Sequence, residues 1–392
     1  MKLCMVNAFF HPYTGGTEKH MYELSRRLAR TQTVHAVTSQ WECEPGDYDM
    51  QGVKLHRLPT KFYKMPMIYP PPLPSTKGVG KKIEELDKEL DFDAFNLHGR
   101  WFSDYNEVVW YAKRKGKLMV QTLHNQRPLG ISLATSVIGM SYENLRGKKI
   151  LRSADKIIAV SAAAMRDVMN YGLPAEKFTV IHNGVDTGVF KPSPSDYMDK
   201  YRDGCDNLML FVGRIIRQKG LVHLLDAMPA LLKEHPSTRL LIVGRGDLVP
   251  ELRKRAIKLG LEKNVAFPGF LEEGRLPEIY SNADLFVLPS LWEVLPVVLV
   301  EALGCGAPLC VSDAGGNPEV VEHGRNGLVF RKADPRDAFE KLDEMLSDTP
   351  KRKAMGRASR EIALSKFDWE IITRQTVDFY ARAIPEHYGA RR

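Results

Sequence analysis

The chain has 392 residues, 44% of them apolar and 27% charged, with a formal charge of +8. That length holds two domains of ordinary size, no apolar run reaches the roughly 18 residues of a membrane span, and the first strand-like stretch begins too close to Met1 for a signal peptide. Cys4, Cys43, Cys205, Cys305 and Cys310 form no CxxC pair, so they read as reduced structural thiols of a cytoplasmic protein and suggest no zinc site. The positive charge favours anionic partners, and no helix-turn-helix or arginine-aromatic pattern argues for nucleic acid.

In chain order, the run Lys2–Phe10 is nearly all apolar, as expected of a buried central strand in a parallel sheet. Gly15-Gly16 follows in a turn, and Met21, Leu24 and Leu28 then keep helical spacing. A glycine pair there lets backbone approach a ligand at the carboxyl end of a strand. Strands are expected at Thr33–Ser39 and Val53–Leu58. From Pro59 to Lys82 the chain is too rich in proline for helix or central strand and reads as a long loop. Phe62, Tyr63, Met65, Met67, Ile68 and Tyr69 are too apolar for a solvated loop and suit cover for an acceptor pocket, or lipid contact. Phe92–His98 and Leu118–His124 are two further strands that end in histidine. Ile157–Ser161 and Phe178–Asp186 complete the first domain, residues 1–187, and residues 188–207 read as linker.

The pattern restarts at Leu208, and strands then alternate with helices at βα spacing through residue 368, a second doubly wound domain. Gly244-x-Gly246 lacks the third glycine of a dinucleotide fingerprint, so no NAD site is expected. Gly213-Arg214-Ile-Ile-Arg217-Gln-Lys219-Gly220 places cations just after the first strand of this domain. The stretch Leu288–Gly304 follows another strand and enters a helix with Pro296 at its first position, which leaves the amides of Val297 and Val298 pointing from a helix N-terminus, a ready anion site. Glu301 lies one turn further down the same face, about 6 Å along the axis. Glu293 lies in the loop ahead of the helix, so two carboxylates flank one anion site.

The Glu293-x7-Glu301 element resembles the E-x7-E motif of retaining glycosyltransferases with the GT-B fold, family four, although Val294 stands where that family usually has glycine. Arg214 and Lys219 match the family's G-R-x-x-x-x-K-G element, and the resemblance covers nearly the whole chain. It implies two Rossmann-like doubly wound α/β domains facing across a cleft, the acceptor on the first and the nucleotide-sugar on the second, with a terminal helix over 369–392 crossing back to the first. In its terms Glu293 and His98 contact the donor sugar, Glu301 the ribose, and Arg214, Lys219, Val297, Val298, Gly15 and Gly16 the pyrophosphate; Leu295 belongs to the same donor-binding loop. The implied reaction is transfer of a sugar from a UDP- or GDP-sugar to a hydroxyl of a glycan or lipid-linked acceptor, with retention, no metal and no resident cofactor. Peripheral contact with the inner membrane face is a further expectation. A nucleotide-sugar epimerase of the same fold and a non-catalytic subunit are the alternatives. A metal-dependent GT-A enzyme would use Asp47-Tyr-Asp49 or Asp91-Phe-Asp93, and the tandem architecture excludes it.

Overall fold

Five residues, Lys2–Val6, form β1, and all but the first are buried, which is why the run carries so little polarity. The computed structural model describes every residue except 14, 64–72, 101–104, 126–132 and 391–392. The chain divides into two units, Met1–His182 with Trp369–Arg392, and Asn183–Asp368.

In the first unit the further strands are β2 (Thr33–Ser39), β3 (Gly46–Met50), β4 (Val53–Leu58), β5 (Thr60–Tyr63), β6 (Leu73–Thr76), β7 (Ala94–His98), β8 (Leu118–Leu123), β9 (Lys156–Ala159) and β10 (Phe178–Val180). Eight of them make one sheet in the order β10-β9-β8-β7-β1-β2-β4-β3. It is parallel except for the exposed edge strand β3, which runs antiparallel to β4. Register sets Leu3 opposite both Val34 and Ala94.

The segment expected as one long loop is not wholly loop. Its two ends pair as the antiparallel ribbon β5–β6, with Thr60 opposite Thr76 and Tyr63 opposite Leu73. A two-stranded ribbon outside the main sheet tolerates Pro74, whose missing N–H would break a central ladder. Phe62 explains part of the apolar content: its ring lies 5.9 Å from Phe9 and 5.0 Å from Trp41, and Tyr13 stacks on Phe9 at 4.4 Å. Met65, Met67, Ile68 and Tyr69 lie outside the described residues.

The helix Trp369–Gly389 belongs to the first unit, where Trp369, Ile372, Phe379, Tyr380 and Ala383 share a core with Leu3, Met5, Met21 and Leu24. Tyr380 accepts a hydrogen bond from Asn96 at 2.9 Å, and burial pushes its hydroxyl well above the ordinary tyrosine range.

The second unit has a six-stranded, wholly parallel sheet, β13-β12-β11-β14-β15-β16, built from β11 (Asn207–Val212), β12 (Thr238–Val243), β13 (Val265–Gly269), β14 (Leu285–Leu288), β15 (Leu309–Ser312) and β16 (Gly327–Phe330). Residues 188–207, expected as linker, pack into this unit. Phe190 and Met198 are buried, Ser195 Oγ donates to Glu278 at 2.8 Å, and Arg202 pairs with Asp284 at 2.8 Å. The division falls at Asn183 rather than after residue 187, because Asn183 Nδ2 donates to the Leu295 carbonyl at 2.8 Å and Val185 N donates to that of Phe367 at 2.8 Å.

Strand order reverses beside the first strand of each sheet, between β1 and β7 and between β11 and β14. Such switch points open crevices at the carboxyl ends of the strands, where α/β proteins take their ligands. Among the described residues no helix is long and apolar enough to cross a membrane.

Candidate active site

At the β11–β14 switch point, the loop after β11 and the loop after β14 are stitched together by backbone. Leu291 N donates to the Gln218 carbonyl at 2.8 Å, and Gln218 Nε2 donates to that of Trp292 at 3.0 Å. Gly220, with φ of 64°, closes the short turn Arg217–Lys219, and a Cβ there would sit 2.0 Å from the Pro289 carbonyl oxygen. Only glycine permits that approach.

This stitching brings two residues singled out in the sequence into contact. Lys219 Nζ lies 2.5 Å from Glu293 Oε1, and Ser290 Oγ donates to the same oxygen at 2.7 Å. Lys219 and Glu293 are 8% and 5% exposed, so the pair is screened little by solvent. The next loop locks Glu293 from behind: Gly315 has φ of 53°, and a Cβ on it would fall 1.6 Å from the Glu293 carbonyl oxygen.

The helix Val297–Gly304 begins one residue later than expected. Pro296 is its N-cap, in extended backbone, rather than its first turn. No side chain caps this end, so the first amides, those of Val297 and Val298, stay directed out of the helix. Leu295 is buried, and Asn183 holds its carbonyl. Glu301 is buried in the second turn and accepts a hydrogen bond from Tyr280 Oη at 3.0 Å. Arg214 stands exposed in the loop after β11.

Gly15, Gly16 and His98 belong to the first unit, at its own switch point. Gly15 is the N-cap of the helix Gly16–Leu28, and a Cβ on it would meet a Glu18 carboxylate oxygen at 2.1 Å. His98 ends β7 and is 1% exposed, with Nδ1 3.0 Å from His124 Nε2. Burial, with His20 nearby, holds the pKa of His98 well below the ordinary histidine value.

Sequence reasoning did not reach Ser290, Tyr280, Gly315, Asn183 or His20, whose ring lies beside those of His98 and His124. Ser290 and Gly315 sit in the turns after β14 and β15 and carry a turn signal; Tyr280 carries none. The two Asp-x-Asp stretches are structural. Asp47 bonds His56 and Lys82, and Asp49 bonds Gly52 and Lys54. Asp91 closes a helix in left-handed backbone and pairs with Lys117, while Asp93 accepts from Lys2 N. The Gly244–Gly246 turn packs on the loop after β11: Cβ atoms at the two glycines would lie 1.9 Å from Gly213 O and 2.0 Å from Ile215 O.

Two doubly wound sheets, the second with a charged strand-end crevice and an uncapped helix start, are the architecture of the GT-B class of transferases. Residues 14–189 match the family model described as Glycosyltransferase Family 4, and residues 198–362 the one described as Glycosyl transferases group 1. The chain belongs to this glycosyltransferase family. It is 31% identical over 402 aligned positions to an uncharacterized glycosyltransferase of Methanocaldococcus jannaschii, across 98% of this chain and 99% of that one. It is 26% identical to the GDP-mannose-dependent alpha-(1-6)-phosphatidylinositol monomannoside mannosyltransferase of Mycobacterium tuberculosis, across 96% and 97% of the two chains. In fold it is similar to sucrose-phosphate synthase of Thermosynechococcus elongatus, with a TM-score of 0.78 at 20% identity across 97% and 98% of the chains. It is likewise similar to Anabaena HepE solved with UDP-glucose, with a TM-score of 0.73 at 22% identity across 97% and 99%.

Proposed function

We propose that this protein is a retaining hexosyltransferase that moves a sugar from a UDP- or GDP-sugar to a hydroxyl of a glycan or lipid-linked acceptor. The observation that carries the reading is the buried Lys219–Glu293 pair beside the uncapped start of the helix Val297–Gly304. An ammonium and a helix N-terminus at one strand end suit a pyrophosphate. Both bonds to Glu293 fall on Oε1, which supports a role for Oε2 toward sugar hydroxyls. Lys219 has three N–H donors, so it serves Glu293 and a phosphate oxygen together. Glu301, anchored by Tyr280, is assigned to the ribose diol.

In the reaction the bond from the anomeric carbon to the phosphate oxygen breaks, and its electron pair stays on the phosphate. The acceptor oxygen bonds the anomeric carbon on the same face, and its proton passes to the leaving phosphate oxygen. Negative charge grows on the diphosphate, where Lys219, Arg214 and the amides of Val297 and Val298 act, and preorganised charge of this kind is the main lever on the barrier. Glu293 holds the sugar. Fixed cations and amides fill the place of a divalent ion, so turnover continues in EDTA. The names of the relatives support either base, since one is GDP-mannose-dependent and one was solved with UDP-glucose.

The test is a screen of UDP-, GDP- and ADP-sugars for thermal stabilisation and for hydrolysis. A nucleotide-sugar at 100 times its dissociation constant adds about 2.7 kcal/mol. Stabilisation by one nucleotide class with release of its sugar supports the reading. No response to any of them, or epimerised sugar in place of transferred sugar, contradicts it.

A further inference from the structure

A row of buried polar side chains in the second unit runs from beyond β15 to the carboxylate of Glu293. Ser290 comes two residues after β14, Ser312 is the last residue of β15, and Asn317 opens the short helix Asn317–Val320. Strand register brings the two serines together: Leu288 lies opposite Val311, so Ser312 comes level with the turn that carries Ser290. The turn at Gly315, in which Asn317 N donates to the Ala314 carbonyl at 3.1 Å, folds Asn317 back onto Ser312. All three side chains are 0% exposed. Asn317 Nδ2 donates to the Ser312 carbonyl at 3.1 Å and lies 3.5 Å from its hydroxyl, Ser312 Oγ donates to the Ser290 carbonyl at 2.5 Å, and Ser290 Oγ donates to Glu293 Oε1 at 2.7 Å. A carbonyl and a carboxylate only accept, so the single proton of each hydroxyl points to the next link, and the row ends on Glu293.

We infer that Asn317, Ser312 and Ser290 form a positioning chain that holds the Glu293 carboxylate still while Lys219 acts on the leaving phosphate; this rests on the assignment of Glu293 to the donor sugar. The two anchors of Glu293 fall on the same oxygen, and they differ in kind. Lys219 carries its ammonium on a flexible four-carbon stem. The phosphate oxygen it also serves gains charge as the bond to the sugar breaks, so its hold on Glu293 weakens at the moment of reaction. Ser290 is tied instead to the end of β15, and a hydrogen bond from a hydroxyl to an ionised carboxylate is stronger than a neutral one. With Oε1 pinned by Ser290 and Gly315 packed against the Glu293 carbonyl, Oε2 keeps one bearing toward the sugar hydroxyls. Side chains that contact a substrate need support of this kind to stay within about 0.5 Å of their working position.

The test is a ratio of affinities, that of the full-length protein for UDP-glucose against UDP, or for GDP-mannose against GDP if the donor screen selects guanine, measured by calorimetry without acceptor. Glu293 reads the sugar, so Glu293→Gln should lower the ratio through the nucleotide-sugar alone. Ser290→Ala should lower it in the same way, by about tenfold, with the free nucleotide bound as in the parent. Ser312→Ala, one link further back, should lower it by less, and it decides if Ser290→Ala does not fold; an unchanged ratio there then overturns the inference. Ser359→Ala, which removes another fully buried hydroxyl of this unit, bonded to the Asn326 carbonyl, should keep the parental ratio. Equal weakening of both ligands by Ser290→Ala would show a general loosening of the site and overturn the inference. A parental ratio in Ser290→Ala with a lowered one in Glu293→Gln overturns the positioning chain and leaves Glu293 on the sugar, whereas a parental ratio in Glu293→Gln removes Glu293 from the sugar and the inference with it.

Discussion

At the β1–β7 reversal the strand ends carry glycines and neutral histidines; at the β11–β14 reversal they carry a buried Lys–Glu pair, a second buried glutamate and an uncapped helix start. The backbone problem is the same in both sheets, a crevice opened where the strand order turns around. The side chains placed there differ in charge state, and that difference separates their chemistry. Lys219, Glu293 and the open amides of Val297 and Val298 suit an anion with hydroxyls. His98 and His124, held neutral by burial, suit uncharged hydrogen-bonding contacts. Fold places a site, and loop residues decide what it does.

The largest effect expected from breaking this contrast is at the charged crevice. Removing one member of a buried ion pair leaves the other uncompensated, which costs about 3–5 kcal/mol. Lys219→Ala and Glu293→Ala should each lower stability by that order in urea unfolding, and the double variant should lose much less than their sum. Additive losses would show that the two side chains do not depend on each other. Where Lys219→Ala remains folded, turnover at saturating donor should fall about a hundredfold, the size of one lost transition-state contact. Normal turnover would remove Lys219 from the leaving-group site.

Glu301→Ala sharpens the assignment within the same crevice. The ribose changes little during reaction, so the loss should fall on binding, with Kd for the free nucleotide rising about tenfold or more, as for a charged hydrogen bond, and turnover at saturation nearly kept. Calorimetry with UDP and GDP measures it, and unchanged affinity would displace Glu301 from the ribose.

Acid should separate the two units. In the first, burial and His56 lower His35 to about 4, and burial lowers His56, His98 and His124. A histidine depressed in the folded state takes up its proton more readily when unfolded, so stability is full above the unfolded pKa near 6.5 and declines as pH falls from there toward about 4. At one pH unit below 6.5, His35 costs on the order of 1 kcal/mol. Hydrogen exchange resolved by segment at pH 7.5 and 5.5 should show protection lost first in β1, β2, β7 and β8. Equal loss in β11 and β14 would contradict the contrast.

The smallest effect concerns the outer surface of the first unit. Trp110 and Leu145 are 61% and 77% exposed, near the basic runs at 113–117 and 146–149. Lys117 is engaged by Asp87 and Asp91, Arg114 by Glu84 and the Trp110 ring, and Lys148 lies over the Tyr171 ring, so Lys113, Lys115, Arg146 and Lys149 remain for anionic lipid, at about 1 kcal/mol per cation. Arg146→Glu with Lys149→Glu should reduce cosedimentation with anionic vesicles at low salt. Equal recovery of the parent in the supernatant with neutral and anionic vesicles would rule the contact out.

Much of this was legible in the residues because apolar runs report buried parallel strands directly. β2 and β4 fall at the expected residues, and the cations and glutamates of the second unit follow strand ends that the runs mark. What could not be read was lateral. That Lys219 and Glu293 touch depends on β11 pairing on its second side with β14, a strand distant in sequence, besides its neighbour β12. That His20, His98 and His124 meet depends on β7 lying between β1 and β8. The edge strand β3 and the ribbon β5–β6 carry polar and proline-rich sequence, and pairing rather than burial makes them strands.

The most direct test of the central assignment is hydrogen exchange of the full-length protein with saturating UDP, or with GDP if the screen selects it. Slowed exchange is expected at the amides of Val297 and Val298 and through Gly213–Gly220, with little change at Gly244–Asp247. Nucleotide protection centred on Gly244–Asp247, or none at Val297 and Val298, would contradict the assignment of the β11–β14 crevice as the donor site.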